Sequence, residues 1–178
     1  MHLREQFFPP NHIDHRRGPR SARVVIIEYG DFECPDCKRV EGAVRSMLQL
    51  HPDTVSLIFR HFPLEEIHPN ALLAAEATEA AGAQARFWEM HDLLLSHRSH
   101  LDRSHLRTFA EQLELDIPAF VGALVDETYR QRVREDIEHG RQSGVRATPT
   151  FFVNDELVDI SYGVERLYEL VDVLAKRR

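Results

Sequence analysis

Val24-Val-Ile-Ile-Glu-Tyr-Gly-Asp-Phe-Glu-Cys-Pro-Asp-Cys37 decides how the chain folds. Its first residues are mostly β-branched or aromatic, which favours a strand. Gly30 and Asp31 break that run, and Pro35 suits the first position of a helix, where its missing N–H costs nothing. The chain's two cysteines, Cys34 and Cys37, are therefore expected at a helix start. Unpaired N–H groups give that end partial positive charge, so a sulfur there is held more readily as thiolate than in water. Cys34 is the predicted nucleophile.

On either side the pattern extends into an α/β order. Arg23 to Tyr29 reads as the first strand, and the helix from Pro35 to about Leu50 sets Val40, Val44, Met47 and Leu48 on one side. Thr54 to His61 reads as a second strand, with Val55, Leu57 and Phe59 alternating against Ser56, Ile58 and Arg60. Strand, helix, strand implies a parallel pair with a right-handed crossover. From Pro69 to Gly144 the pattern is helical almost throughout, more than a crossover needs, so an inserted helical subdomain is expected over 67–144. Ala71 to Ala81 is alanine-rich; Phe87, Trp88, His91, Leu94 and Leu95 share one face; Leu106, Phe109, Ala110 and Leu113 share another, with Ser104 as the expected N-cap. Asp116 and Pro118 open a short helix carrying Phe120 and Leu124, and Tyr129, Val133 and Ile137 recur every four residues. Thr150 to Val153 and Glu156 to Ile160 flank an Asn154-Asp155 turn, and Val164 to Ala175 forms an amphipathic closing helix. Residues 1–22 carry three prolines, a basic cluster and no periodicity, and read as an arm. The domain itself is assigned to 23–66 and 145–178.

Composition bounds the chemistry. With 178 residues, 43% hydrophobic and 29% charged, the chain reads as one soluble globular domain with an insertion. No apolar run approaches the roughly 20 residues of a bilayer span. Met1 to Pro10 lacks a cationic start followed by an apolar block, so a cytoplasmic protein without a membrane partner is expected. A net charge of −7 and a pI near 5.9 argue against nucleic-acid binding. Arg16, Arg17, Arg20, Arg23 and the Lys176 to Arg178 tail read as solvated. Two cysteines make no disulfide scaffold, and a close pair in a reducing compartment points to redox or metal chemistry. Zinc would need further ligands; His97, His100 and His105 read as exposed helix-end residues, and no metal or organic cofactor is expected.

The order β, α, β, helical insertion, β, β, α, with Glu28-Tyr-Gly-Asp-Phe-Glu-Cys-Pro-Asp-Cys37 early and Ala147-Thr-Pro-Thr150 late, resembles the DsbA-like branch of the thioredoxin superfamily. The match covers about residues 17–176, and includes Arg17-Gly-Pro19, Phe59-Arg-His-Phe-Pro-Leu64, Phe87-Trp-Glu-Met-His91 and Gly144-Val-Arg-Ala-Thr-Pro-Thr-Phe-Phe-Val153. It is most similar to signal-less, cytosolic members and to the thioredoxin-like domain fused to some sodium/proton antiporters. The resemblance implies a thioredoxin-like fold with an inserted helical subdomain. It further implies that Cys34 attacks and Cys37 resolves, and that Thr148-Pro149 forms a cis-proline loop offering backbone groups to an extended substrate. Glu28 matches a carboxylate beneath the cysteine pair. The implied partners are a disulfide-containing protein or small thiol and a thioredoxin or glutathione reducing system.

Residue chemistry refines these implications. The resolving thiol must lose its proton, and a desolvated carboxylate of raised pKa can accept it, so Glu28 is the expected relay. Pro35 and Asp36 lie between the cysteines and are expected to tune them. Oxidising relatives tend to carry His or Tyr next to the second cysteine, whereas Asp36 repels a neighbouring negative sulfur, so a moderate to reducing couple is predicted. Ala147 stands where many relatives have Gly, and no role is assigned to it. His61, His91, Phe87 and Trp88 read as packing residues. Two rival readings remain: a glutathione-dependent transferase or isomerase, whose relatives usually have Ser in place of the first Cys, and a non-enzymatic binding or chaperone module.

Overall fold

The computed structural model describes residues 6–177, among which lie five strands and seven helices. The strands are β1 (His15–Arg17), β2 (Val24–Gly30), β3 (Val55–His61), β4 (Thr150–Val153) and β5 (Glu156–Val158). The helices are α1 (Pro35–Leu50), α2 (Ala71–Gly82), α3 (Phe87–Ser96), α4 (Arg103–Gln112), α5 (Ile117–Val125), α6 (Arg130–Gln142) and α7 (Glu165–Lys176). They form a thioredoxin-like α/β fold, with α2 to α6 inserted between β3 and β4.

The sheet order is β1-β3-β2-β4-β5. β2 runs parallel to β3, Val24 opposite Val55, and antiparallel to β4, Tyr29 opposite Thr150. That last pairing brings the start of β4 beside the end of β2, where α1 begins. Alternation along β2 divides the core between the two faces. On one side Val24 and Ile26 pack with Val40, Val44 and Met47 of α1 and Leu167 and Val171 of α7. On the other, Ile27 and Tyr29 pack with Val133 and Ile137 of α6. A third cluster unites the helical insertion, through Leu94, Phe109, Phe120 and Leu124, with Phe32, Cys34 and Cys37.

Several expectations need correction. β1 lies within the stretch read as an arm and pairs antiparallel with β3, His15 opposite Phe59. Three polar residues show no alternation, so only the partner strand defines it. β3 does not alternate in burial: all seven residues are buried, because both faces of this strand are covered. Arg60 tolerates this because Asp14 accepts from its Nε at 3.0 Å and its Nη2 at 2.9 Å, while the carbonyls of Phe8 and Pro9 and the Tyr29 hydroxyl accept the rest. Helix α4 is capped by Asp102, not Ser104: its carboxylate accepts from the N–H groups of Ser104 and His105. β5 ends at Val158, two residues short of Ile160. Three of the leader arginines are bound: Arg17 pairs with Asp92 and stacks over Trp88, Arg16 donates to Ser56, and Arg23 donates to the Ala175 carbonyl. Phe87, His61 and His91 are buried, with His61 against Glu79 and His91 against Asp92.

Candidate active site

The β2–α1 junction carries the cysteines. Cys34 is the N-cap of α1, Pro35 follows at the first helical position, and Asp36 is the acidic residue of the first turn. Both cysteines are unbridged and buried, Cys34 5% exposed and Cys37 1%. The Cys34 thiol donates to the Thr148 carbonyl at 3.3 Å. The Thr148–Pro149 peptide is cis. Residues 114 positions apart thus meet at one sulfur, because the register of β4 on β2 delivers the Thr148 loop to the helix start.

The two sulfurs differ electrostatically. Hydrogen bonding from the Cys37 thiol is the largest influence on Cys34; against the cost of burial, the Thr148 side chain and the N–H groups of Cys37 and Asp36 join it in pulling the thiol down to about 6. The Thr148 hydroxyl is buried with no partner among the described residues and is free to turn onto a thiolate. Cys37, one turn deeper, is pushed up by burial, by its bond to Cys34 and by the charges of Glu28 and Cys34. Glu28 is 4% exposed in the central strand; burial first, then Glu41 and Cys34, raise its carboxyl to about 8. Its position in β2 puts it on the Ile26 face, the face covered by α1. Asp36 is half-exposed and paired with Arg39 at 3.1 Å, so part of its charge is neutralised before it reaches a sulfur.

Each residue singled out in the sequence therefore sits at this junction: Cys34, Pro35, Asp36 and Cys37 on α1, Glu28 on β2, and Thr148 and Pro149 opposite. Sequence reasoning treated Asp31 only as a strand breaker. The structure makes it a buried knuckle, its N–H donating to Cys37 Sγ at 3.4 Å and its carboxylate held by Leu64, His68 and Glu33. An acidic residue between a strand and a helix was the available signal, but Leu64 and His68 lie more than thirty residues on. Beside the cis peptide runs a groove of about 710 Å³, lined among others by Asp36, Arg39, Arg146, Pro149, Leu157 and Ile160. Among the described residues no cluster of three or more potential metal ligands occurs, and no helix is long and apolar enough to cross a membrane.

A family model described as Thioredoxin matches residues 11–173. The chain is 48% identical over 154 residues to a Na(+)/H(+) antiporter NhaA 1 of Salinispora arenicola, covering 86% of this chain and 24% of that protein. It is 35% identical over 166 residues to the Na(+)/H(+) antiporter NhaA of Herminiimonas arsenicoxydans, covering 93% of this chain and 26% of that one. The chain thus spans about a quarter of the length of the curated relatives it matches. Among solved structures, oxidised BdbD from Bacillus subtilis superposes with a TM-score of 0.82 at 21% identity, covering 91% of this chain and 92% of that one. A thioredoxin-like oxidoreductase from Silicibacter pomeroyi superposes with a TM-score of 0.80 at 22% identity, covering 93% and 94%. At these identities the superpositions speak for the fold.

Proposed function

The chain belongs to the thioredoxin family, and from that premise we propose that it exchanges disulfides with protein or small-molecule substrates through the Cys34–Cys37 dithiol. One observation carries the reading: a cysteine at a helix start, 3.3 Å from the Thr148 carbonyl, is pulled down to about 6 while the cysteine three residues on is pushed up. That asymmetry assigns one sulfur to attack and the other to wait.

The Cys34 thiolate attacks one sulfur of the substrate disulfide, forming a mixed disulfide and expelling the other substrate sulfur as a thiolate. Cys37 then loses its proton and attacks Cys34 Sγ, closing the Cys34–Cys37 bond and releasing the second substrate thiolate. The substrate gains two electrons and the dithiol loses them; a thioredoxin- or glutathione-type thiol system restores the dithiol. Glu28 receives the Cys37 proton, directly or through water. Once Cys34 is in the mixed disulfide it carries no charge, which removes one of the influences that hold Glu28 protonated. The relay is therefore a stronger acid, and readier to be ionised, at the step that needs a base. Thr148 and Pro149 present backbone to the substrate, and the adjoining groove accepts an extended segment. Asp36, paired with Arg39, disfavours the thiolate only weakly, while the pull on Cys34 to about 6 stabilises the dithiol, so the couple lies in the moderate part of the moderate to reducing range.

Insulin reduction in the presence of a small dithiol tests this. Wild type should accelerate precipitation of the insulin B chain and Cys34→Ser should not. Full activity in Cys34→Ser would overturn the proposal, and no acceleration by wild type would overturn it in favour of a binding or chaperone module.

A further inference from the structure

Asp31 is 2% exposed and its carboxylate is saturated by donors from two directions. Oδ1 accepts from the Glu33 N–H at 2.8 Å. Oδ2 accepts from the Leu64 N–H at 2.8 Å and lies 2.7 Å from His68 Nδ1. A carboxylate only accepts, so that ring nitrogen is the donor. The main chain of Asp31 in turn faces the cysteines: its N–H donates to Cys37 Sγ at 3.4 Å, and its carbonyl accepts from the Cys34 N–H at 3.2 Å. The β3–α2 connection is thereby strapped to the peptide unit that touches the resolving sulfur.

We propose that His68 is a positioning residue for the second half of exchange, holding through Asp31 the N–H that meets Cys37 Sγ. This inference rests on the disulfide-exchange reading. The N–H groups of Asp36 and Cys37 and the Thr148 side chain that act on Cys34 Sγ lie on α1 and the Thr148 loop, and Asp31 reaches that sulfur only through Cys37, so attack by Cys34 depends on the strap far less than closure by Cys37 does. The Asp31 N–H instead favours a charged Cys37, the form that must attack the mixed disulfide. Without His68 the buried carboxylate loses its side-chain donor, the Asp31 peptide unit is less firmly held, and Cys37 gives up its proton less readily. A second strap, Glu33 accepting from the Asn70 N–H at 2.7 Å and from its side-chain amide at 3.2 Å, ties the same segments independently. His68 itself is partly exposed, its side chain 17% accessible, so its replacement leaves the fold standing.

Stopped-flow mixing of the dithiol protein with dithiobis(nitrobenzoate), an aryl disulfide, separates the steps, because one coloured thiolate leaves when Cys34 attacks and the second when Cys37 closes the ring. In His68→Leu the first release should stay within about twofold of wild type and the second should slow about tenfold, the worth of one hydrogen bond that serves a charged group. His68→Asn, whose amide can place a donor near the position of Nδ1, should recover most of the second rate. An unchanged second release in His68→Leu, or equal slowing of both, would overturn the inference while leaving disulfide exchange intact. No thiolate release by wild type would overturn the exchange reading, and the inference with it.

Discussion

Replacing Glu28 by Gln keeps the size of the side chain and removes its ability to ionise, so the pH dependence of stability isolates the cost of a buried charge. In the folded chain the carboxyl is raised to about 8 from an ordinary 4.5. Between those values the unfolded chain has released the proton and the folded chain still holds it. Stability from this group is therefore fully present below pH 4.5 and falls as pH rises through 8. A shift of 8 − 4.5 = 3.5 pH units, at about 1.4 kcal/mol each, is about 5 kcal/mol in full, of which about 4 kcal/mol falls between about pH 5 and 9. Urea unfolding of both proteins at a series of pH values reads it directly. Glu28→Gln should gain on wild type by about 4 kcal/mol from pH 5 to 9, whatever fixed cost the buried amide adds. Cys34 titrates in the same range with the opposite sign, its lowered pKa adding stability as pH rises, and largely cancels in the difference. A difference that changes by less than about 1 kcal/mol over that range, or that moves the other way, would refute the burial of an ionisable carboxyl in β2.

Two further outcomes follow from the same geometry. Ultraviolet titration of the thiolate should place Cys34 near 6, and Asp36→His should lower it by about half a pH unit, small because Arg39 and solvent already screen Asp36; an unchanged or higher value would refute the electrostatic role of that side chain. Asp14→Ala leaves the Arg60 guanidinium, itself 1% accessible, without its counter-charge, and should cost about 3–5 kcal/mol in urea unfolding. A loss below about 1 kcal/mol would show that the pair is not the anchor of the N-terminal segment.

What could be read in the sequence was what the chain settles locally. A β-branched run broken at Gly30 and Asp31 and followed by Pro35 specifies strand, turn and helix start without help from elsewhere, and the cysteines come with it. The insertion was visible because its apolar stripes repeat at helical spacing. What escaped depends on distant partners. β1 is three polar residues that become a strand only by pairing with β3. Arg60 reads as an outward residue until Asp14, forty-six positions earlier, supplies its counter-charge in the interior. Asp31 looks like a strand breaker, and its place under Cys37 follows from Leu64 and His68 folding back over the helix start.

The central claim is that Cys34 forms a covalent bond to substrate sulfur and Cys37 releases it. Intact-mass analysis of Cys37→Ser after incubation with oxidised glutathione or a disulfide-bonded protein tests this most directly. The account predicts a stable adduct of one substrate thiol on Cys34, absent from Cys34→Ser and resolved in wild type. No adduct on Cys37→Ser, or an adduct that persists equally in wild type, would contradict it.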